Sequence, residues 1–233
     1  MKTAKFIWAT TLCLVLGMGI ASCGDENEEI EPSPDKEAEE NVNRHECVDL
    51  GLSVKWATCN VGASSPEDYG DYYAWGETET KSTYNWNNYK WSINNVFFNK
   101  YCLYSNHGAV DNKTVLESSD DVAHVQWGGS WRIPTIEEIE ELANNCTWTW
   151  TNQNGKDGYK VTASNGNSIF LPAAGWRDGN YLKKAGSQGY YWSSSLNAST
   201  DSPYELHIWY YVDWGGLNNR YRGYSVRPVC DIE

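Results

Sequence analysis

Histidine, methionine and phenylalanine are scarce in this chain of 233 residues, at four, two and four. The histidines (His45, His107, His124, His207) are scattered, and the seven cysteines never fall into a C-x-x-C spacing. A zinc site, which draws on clustered thiolates and imidazoles, is not expected. No apolar run makes a comfortable membrane span; the best, residues 6–20, is short and weakly flanked. No G-x-S-x-G elbow surrounds Ser193-Ser194-Ser195, where small hydroxyls read as packing or capping groups. Basic residues are also short. Over residues 47–233 there are 14 against 21 acidic ones, which argues against nucleic acid as a partner.

What is present begins with an export signal. Lys2 and Lys5 precede the apolar stretch, and Ile20-Ala21-Ser22-Cys23 follows it. This resembles a bacterial lipobox, in which the peptide is cut before the cysteine and the thiol takes a diacylglycerol. Residues 1–22 are therefore expected to be removed and Cys23 to carry the lipid, palmitate among its acyl chains. More than one chain is needed for firm anchoring. Residues 25–46 hold ten acidic side chains against Lys36 and Arg44, with Pro32 and Pro34 and little apolar surface. Such a stretch buries too little to fold and repels itself, so residues 23–46 read as a tether. An acidic run at this place also resembles the surface-export signal of Bacteroidetes lipoproteins; a plain solvated spacer is the alternative. The expected location is the outer membrane, cell-surface exposed.

Residues 47–233 suit one domain. Thirteen Trp and sixteen Tyr against four Phe are unusual, because each Trp or Tyr brings a polar end that needs a partner. The spacing of Ile136, Ile139, Leu142 and Ala143 predicts an amphipathic helix over 136–144, with Thr135 as N-cap and Glu138 completing a capping box. Shorter helical turns are expected from Pro66 to Gly70 and over 120–126, the latter stopped by Gly128-Gly129. Strands are expected over 49–57, 159–163, 168–171, 190–194, 204–209 and 223–229, with Asn165-Gly166 as a hairpin turn. The Asp/Asn/Gly-rich run 152–158 lacks the calcium-loop pattern and reads as a turn. The class is α+β, with few short helices, antiparallel strands and long loops.

Several ordered motifs then look familiar. They are Val48-Asp49-Leu50-Gly51-Leu52-Ser53-Val54-Lys55-Trp56-Ala57, Tyr73-Ala74-Trp75-Gly76-Glu77, Gly129-Ser130-Trp131-Arg132-Ile133-Pro134-Thr135, Phe170-Leu171-Pro172-Ala173-Ala174-Gly175, Tyr191-Trp192-Ser193-Ser194-Ser195 and Gly223-Tyr224-Ser225-Val226-Arg227-Pro228-Val229. Together they resemble the Fibrobacter succinogenes major paralogous domain family, related to Lcl-type C-terminal domains. The resemblance implies a C-type-lectin-like fold of the branch shared with formylglycine-generating enzymes and retroelement-diversified proteins. It further implies that the chain ends pair in one sheet, 48–56 beside 224–229. Cys47 and Cys230 would then flank the paired ends and are the first choice for a disulfide. The copper-binding cysteine pair of formylglycine-generating enzymes has no counterpart, and neither Glu-Pro-Asn nor Gln-Pro-Asp of calcium-dependent lectins occurs in the domain. No enzyme activity, metal or cofactor is expected, although a spatially assembled acid pair is not visible to sequence.

The remaining signal is the segment 209–222. Its Trp209, Tyr210, Tyr211, Trp214, Asn218, Asn219, Tyr221 and Arg222 combine rigid amphipathic rings with adaptable hydrogen-bonders, as recognition surfaces do. In retroelement-diversified relatives the equivalent stretch carries the ligand surface. These eight residues are the expected ligand face, for an extracellular glycan or protein in an adhesion role. Core packing of Trp209 and Trp214 is the competing reading, and a structural or tip subunit of a surface fibre is the alternative function.

Overall fold

The computed structural model describes residues 45–95, 97–198 and 202–232. The expected signal peptide, Cys23 and the tether up to residue 44 lie outside them. Within them the chain forms thirteen short strands in small antiparallel sheets, two α-helices and two 3-10 turns. The class is α+β and mostly β.

The chain ends meet in one sheet. β1 (Cys47–Val48) and β13 (Val229–Cys230) flank β2 (Lys55–Ala57), pairing Val48 and Val229 with Trp56. The single strand expected over 49–57 is instead a hairpin arm. Asp49 Oδ1 accepts from Gly51 N–H at 2.7 Å and turns the chain there, with Gly51 at φ +69°. The pairing continues outside regular strands, as Val61 N–H donates to Val226 O and Tyr73 bridges Tyr224.

A second sheet holds β5 (Cys146–Gln153), β6 (Lys156–Ala163) and β7 (Ser168–Pro172), and a third holds β10 (Gly189–Leu196), β11 (Pro203–Ile208) and β12 (Val212–Leu217). The loop between β6 and β7 contains the expected Asn165-Gly166 turn, Gly166 at φ +88°. A tighter two-residue turn, Asn154-Gly155 with both φ positive, closes the β5–β6 hairpin, whereas at 165–166 only Gly166 is positive. Helix α1 (Val122–Trp127) is N-capped by Asp121. Helix α2 (Ile136–Asn145) carries the expected capping box: Thr135 Oγ1 accepts from Glu138 N–H, and Glu138 Oε2 accepts from Thr135 N–H. Ile139 and Leu142 of α2 join Trp56, Val161, Leu171, Leu206 and Val229 in the aliphatic core. At Pro66 only one turn forms, Asp68 N–H to Ser65 O, because the chain must double back for Asp71 N–H to reach Val61 O.

The rest of the interior is aromatic and its backbone is largely irregular. Here the polar ends of the rings find carbonyls. Trp75 Nε1 donates to Ser193 O and Trp192 Nε1 to Tyr73 O, both at 2.8 Å. The hydroxyls of Tyr72, Tyr84, Tyr89 and Tyr191 donate to Ala174 O, Tyr72 O, Trp75 O and Pro172 O at 2.5–2.9 Å. Arg227, 1% exposed, donates from Nε to Asn60 Oδ1, from Nη1 to Ala57 O and Thr58 O, and from Nη2 to Phe170 O.

Removing Arg227 leaves four buried acceptors unpaired, each costing about 1–3 kcal/mol. Arg227→Met is therefore expected to lose on the order of 4 kcal/mol in urea unfolding. Arg227→Lys should not rescue it, since an ammonium lacks the planar fork. An unchanged urea midpoint for Arg227→Met would refute this. No disulfide joins any of the five described cysteines, so the expected Cys47–Cys230 bond is not formed here. The two thiols are nonetheless neighbours: burial, then Cys47 itself, pushes the Cys230 thiol up to about 11. Non-reducing peptide mapping of exported protein should recover Cys47 joined to Cys230; five free thiols would dispose of the pair.

Candidate ligand-binding site

The expected ligand segment is a strand and a turn rather than one loop, and strand parity divides it. In the β11–β12 hairpin, Leu206 pairs with Trp214 on one face, while Glu205 and His207 pair with Gly216 and Asp213 on the other, which packs on the aromatic interior. Trp214 accordingly packs on the aliphatic core with Val212. Tyr221 packs edge-on to Trp86 at 4.9 Å, away from the hairpin tip. Asn219 accepts from Arg222 N–H in a tight turn, and its own N–H donates to Asn218 Oδ1. Asn218 and Arg222 bind each other, and Asn218 Nδ2 donates to Glu205 Oε1 at 3.1 Å. Of the eight expected residues, Trp209, Tyr210 and Tyr211 form one exposed cluster.

These three make the tip of the hairpin. Trp209 N–H donates to Tyr211 O at 3.0 Å, and the three ring centroids lie 3.8–4.8 Å apart. Tyr210 is 77% exposed and Tyr211 46%, while Trp209 is half-buried. The tip stands at the end of a file of rings. Trp192 stacks on Tyr224 at 4.1 Å, Tyr224 meets Tyr190 at 5.1 Å, Tyr190 stacks on His207 at 4.1 Å, and His207 stacks on Trp209 at 5.4 Å. Trp192 and Tyr224 are fully buried, so the exposed rings are braced from the core outward.

Beside this file lies a buried polar cluster that sequence reasoning missed. Ten buried side-chain nitrogen or oxygen atoms among the described residues lack a hydrogen-bond partner. Six of the ten gather here, on Trp176, Glu205, His207, Trp209, Arg222 and Tyr224, where the Tyr224 hydroxyl interacts electrostatically with both the Glu205 carboxyl and the Arg222 guanidinium. Glu205 is 4% exposed, and a side chain on Gly216 would meet its Oε1 at 3.1 Å, so glycine there makes room for the carboxylate. Burial holds the Glu205 carboxyl above its ordinary value, with Asn218 working against the shift. Burial likewise lowers His207, opposed by Asp213. Only the register β11–β12, invisible in sequence, brings Glu205 to Asn218 and Arg222.

Trp209 and Tyr210 also line an open groove of about 730 Å³, together with Trp150 of β5 and Tyr159 of β6. Among the described residues no group of three His, Cys, Asp or Glu side chains is placed to hold a metal ion. No described helix is long and apolar enough to cross a membrane. Comparison with protein-family models, with curated proteins and with solved structures gives no match.

Two outcomes follow from this division. Trp214→Ala is expected to cost about 3 kcal/mol of stability as a core truncation, whereas Tyr210→Ala should stay within about 0.5 kcal/mol. Equal melting temperatures for the two variants would contradict it. For Glu205, the folded state holds the carboxyl proton more tightly than the unfolded chain does. Its contribution therefore declines as pH rises from the unfolded value, about 4.3, through the raised folded one. Urea midpoints followed upward from pH about 4 should fall less steeply in Glu205→Gln; an identical slope would refute the assignment.

Proposed function

We propose that this chain is a surface-displayed outer-membrane lipoprotein whose domain binds an extracellular glycan or protein through the aromatic tip of the β11–β12 hairpin, and that it is not an enzyme. The observation that carries the reading is the tip itself. Tyr210 and Tyr211 are exposed at the end of a ring file rooted on buried Trp192 and Tyr224. Exposed aromatic rings held rigidly lose little entropy on binding, which is what an anchor residue requires. Of the eight residues expected from sequence, the reading keeps Trp209, Tyr210 and Tyr211 as contacts. It gives Asn218 and Arg222 the role of positioning Glu205, while Trp214 and Tyr221 serve packing.

A C-type-lectin-like fold is part of the proposal. Pairing of the chain ends through Trp56 and Val229, few helices and many loops support it, as does the motif resemblance to the Fibrobacter succinogenes major paralogous domain family. The lipid on Cys23 and the acidic residues behind it supply the anchor and the spacer.

Cys23→Ser is expected to leave the protein uncleaved or released and to abolish incorporation of labelled palmitate; a variant that is labelled and retained like the parent would end the lipoprotein reading. External protease on intact cells should remove the domain, and full protection would place it on the inner side of the membrane. For the ligand, glycan and host-protein arrays are probed with the parent, Tyr210→Ala and Tyr211→Ala. Loss of a parental signal of about tenfold or more at an unchanged melting temperature is the expected result. Signals that persist unchanged in both variants would remove the tip from the site.

A further inference from the structure

The hairpin tip supplies half of the rings that line the 730 Å³ groove, and the rest of the lining comes from segments far away in sequence. Trp150 on β5, 40% exposed, sits edge-on to Tyr159 of β6 at 5.1 Å. The sheet of β5, β6 and β7 thus contributes one aromatic pair and the sheet of β10, β11 and β12 the other, Trp209 and Tyr210. The volume falls in the range of about 300–1,000 Å³ typical of small-ligand sites.

Between the rings are four polar side chains whose hydrogen-bonding capacity is partly assigned. Asp157 Oδ1 accepts from Asn152 Nδ2 at 2.8 Å, which holds the carboxylate in place as an acceptor. Gln188 Oε1 accepts from the Tyr190 hydroxyl at 3.1 Å, so its amide N–H groups remain as donors. The Ser187 hydroxyl donates to Lys184 O, which leaves its oxygen to accept, and Lys184 adds an ammonium. One carboxylate and one ammonium cancel, so the lining carries no net charge, within a domain that is itself net acidic.

We infer that this groove binds a neutral oligosaccharide. The inference rests on the reading of the hairpin tip as a ligand face and names the ligand class and the second set of contacts. A pyranose ring has an apolar C–H face and a rim of hydroxyls, each both donor and acceptor. Aromatic faces take the first, and a mixed set of carboxylate, amide, hydroxyl and ammonium takes the second. An apolar ligand would desolvate the Asp157 carboxylate and leave the Gln188 amide N–H donors without an acceptor. An acidic glycan would meet no cationic excess in the groove and a repulsive field from the domain. An open groove with rings contributed by two sheets suits consecutive sugars of a chain rather than one enclosed unit.

The test uses the full-length protein purified in detergent, titrated with neutral hexasaccharides of glucose, mannose, xylose or N-acetylglucosamine, and with an oligogalacturonate of the same length. Binding is read by calorimetry and by tryptophan fluorescence, with melting temperatures as a folding control. At least one neutral hexasaccharide should bind. Its affinity should fall about tenfold or more in each of Trp150→Ala, Asp157→Asn and Tyr210→Ala, and Trp150→Tyr should restore most of the Trp150→Ala loss. Loss in Tyr210→Ala with no change in Trp150→Ala and Asp157→Asn would overturn the groove and leave the tip standing. Loss in the latter two with no change in Tyr210→Ala would overturn the tip reading and, with it, the inference as stated. No binding by any neutral hexasaccharide, or tighter binding of the oligogalacturonate, would overturn the ligand class, while a protein partner captured by the tip on arrays would still satisfy the broader reading. Should Trp150→Ala unfold, Asp157→Asn and Trp150→Tyr decide the same question.

Discussion

Buried irregular backbone needs hydrogen-bond donors, and in this domain side chains supply them. A regular sheet pairs its own carbonyls; a loop crossing a core does not, and each unpaired carbonyl there is destabilising. Arg227 meets this constraint most completely, joining the carbonyls at the end of β2, the amide oxygen of Asn60 and the end strand β7 with one guanidinium. No carboxylate among the described residues pairs with it, and burial pulls its proton affinity down to about 10, still high enough to keep the charge at physiological pH. Trp75, Trp192, Tyr72, Tyr84, Tyr89 and Tyr191 serve the same need with a single donor each. This explains a composition of thirteen Trp and sixteen Tyr beside four Phe. A phenyl ring fills the same space and offers no donor.

The same chemistry shapes the candidate site. Rings that stack to fill a core also transmit its rigidity, and the file from Trp192 to Trp209 ends on the hairpin tip without an intervening flexible side chain. His207 is the one ring in the file whose ordinary pKa lies near neutral pH. Burial keeps its affinity for a proton low, so it stays a neutral stacking ring at neutral pH. Glu205, held near it with raised proton affinity, gathers Asn218 and Arg222 against the face of β11 opposite Leu206. Residues that read as parts of one recognition surface therefore act at different levels: some touch solvent, and some fix those that do.

How much of this was legible depended on whether the signal was local. The capping box of Thr135 and Glu138 and the Asn165-Gly166 turn are encoded within a few residues, and both are present. Strand β5 was equally legible and was missed. Thr147-Trp148-Thr149-Trp150-Thr151 alternates cleanly and runs into Asn154-Gly155, the same Asn-Gly signal as at 165–166. The split of the ligand segment was not legible, because Trp209, Tyr210 and Trp214 are the same kinds of residue in sequence. Register decides between them: Leu206 opposite Trp214 turns that ring inward, while the three-residue tip beyond Ile208 and Val212 faces out. Trp150, Asp157 and Gln188 share a groove with Tyr210 only through tertiary packing, so no spacing rule could bring them together.

The aromatic residues also sort themselves by the fate of their polar ends. Rings whose hydroxyl or indole N–H reaches a buried carbonyl are core residues, whatever their neighbours in sequence. Tyr210 and Tyr211 make no such bond among the described residues, and Trp209 Nε1 is buried without one. In a domain where ring after ring is buried, Tyr210 and Tyr211 stand exposed at a hairpin tip, at 77% and 46%. Their exposure costs hydration of apolar surface that a purely structural hairpin would avoid with a glycine or asparagine turn. That exposed surface on a braced support, beside a groove lined by donors and acceptors, is the physical basis of the proposal that this end of the molecule binds a ligand.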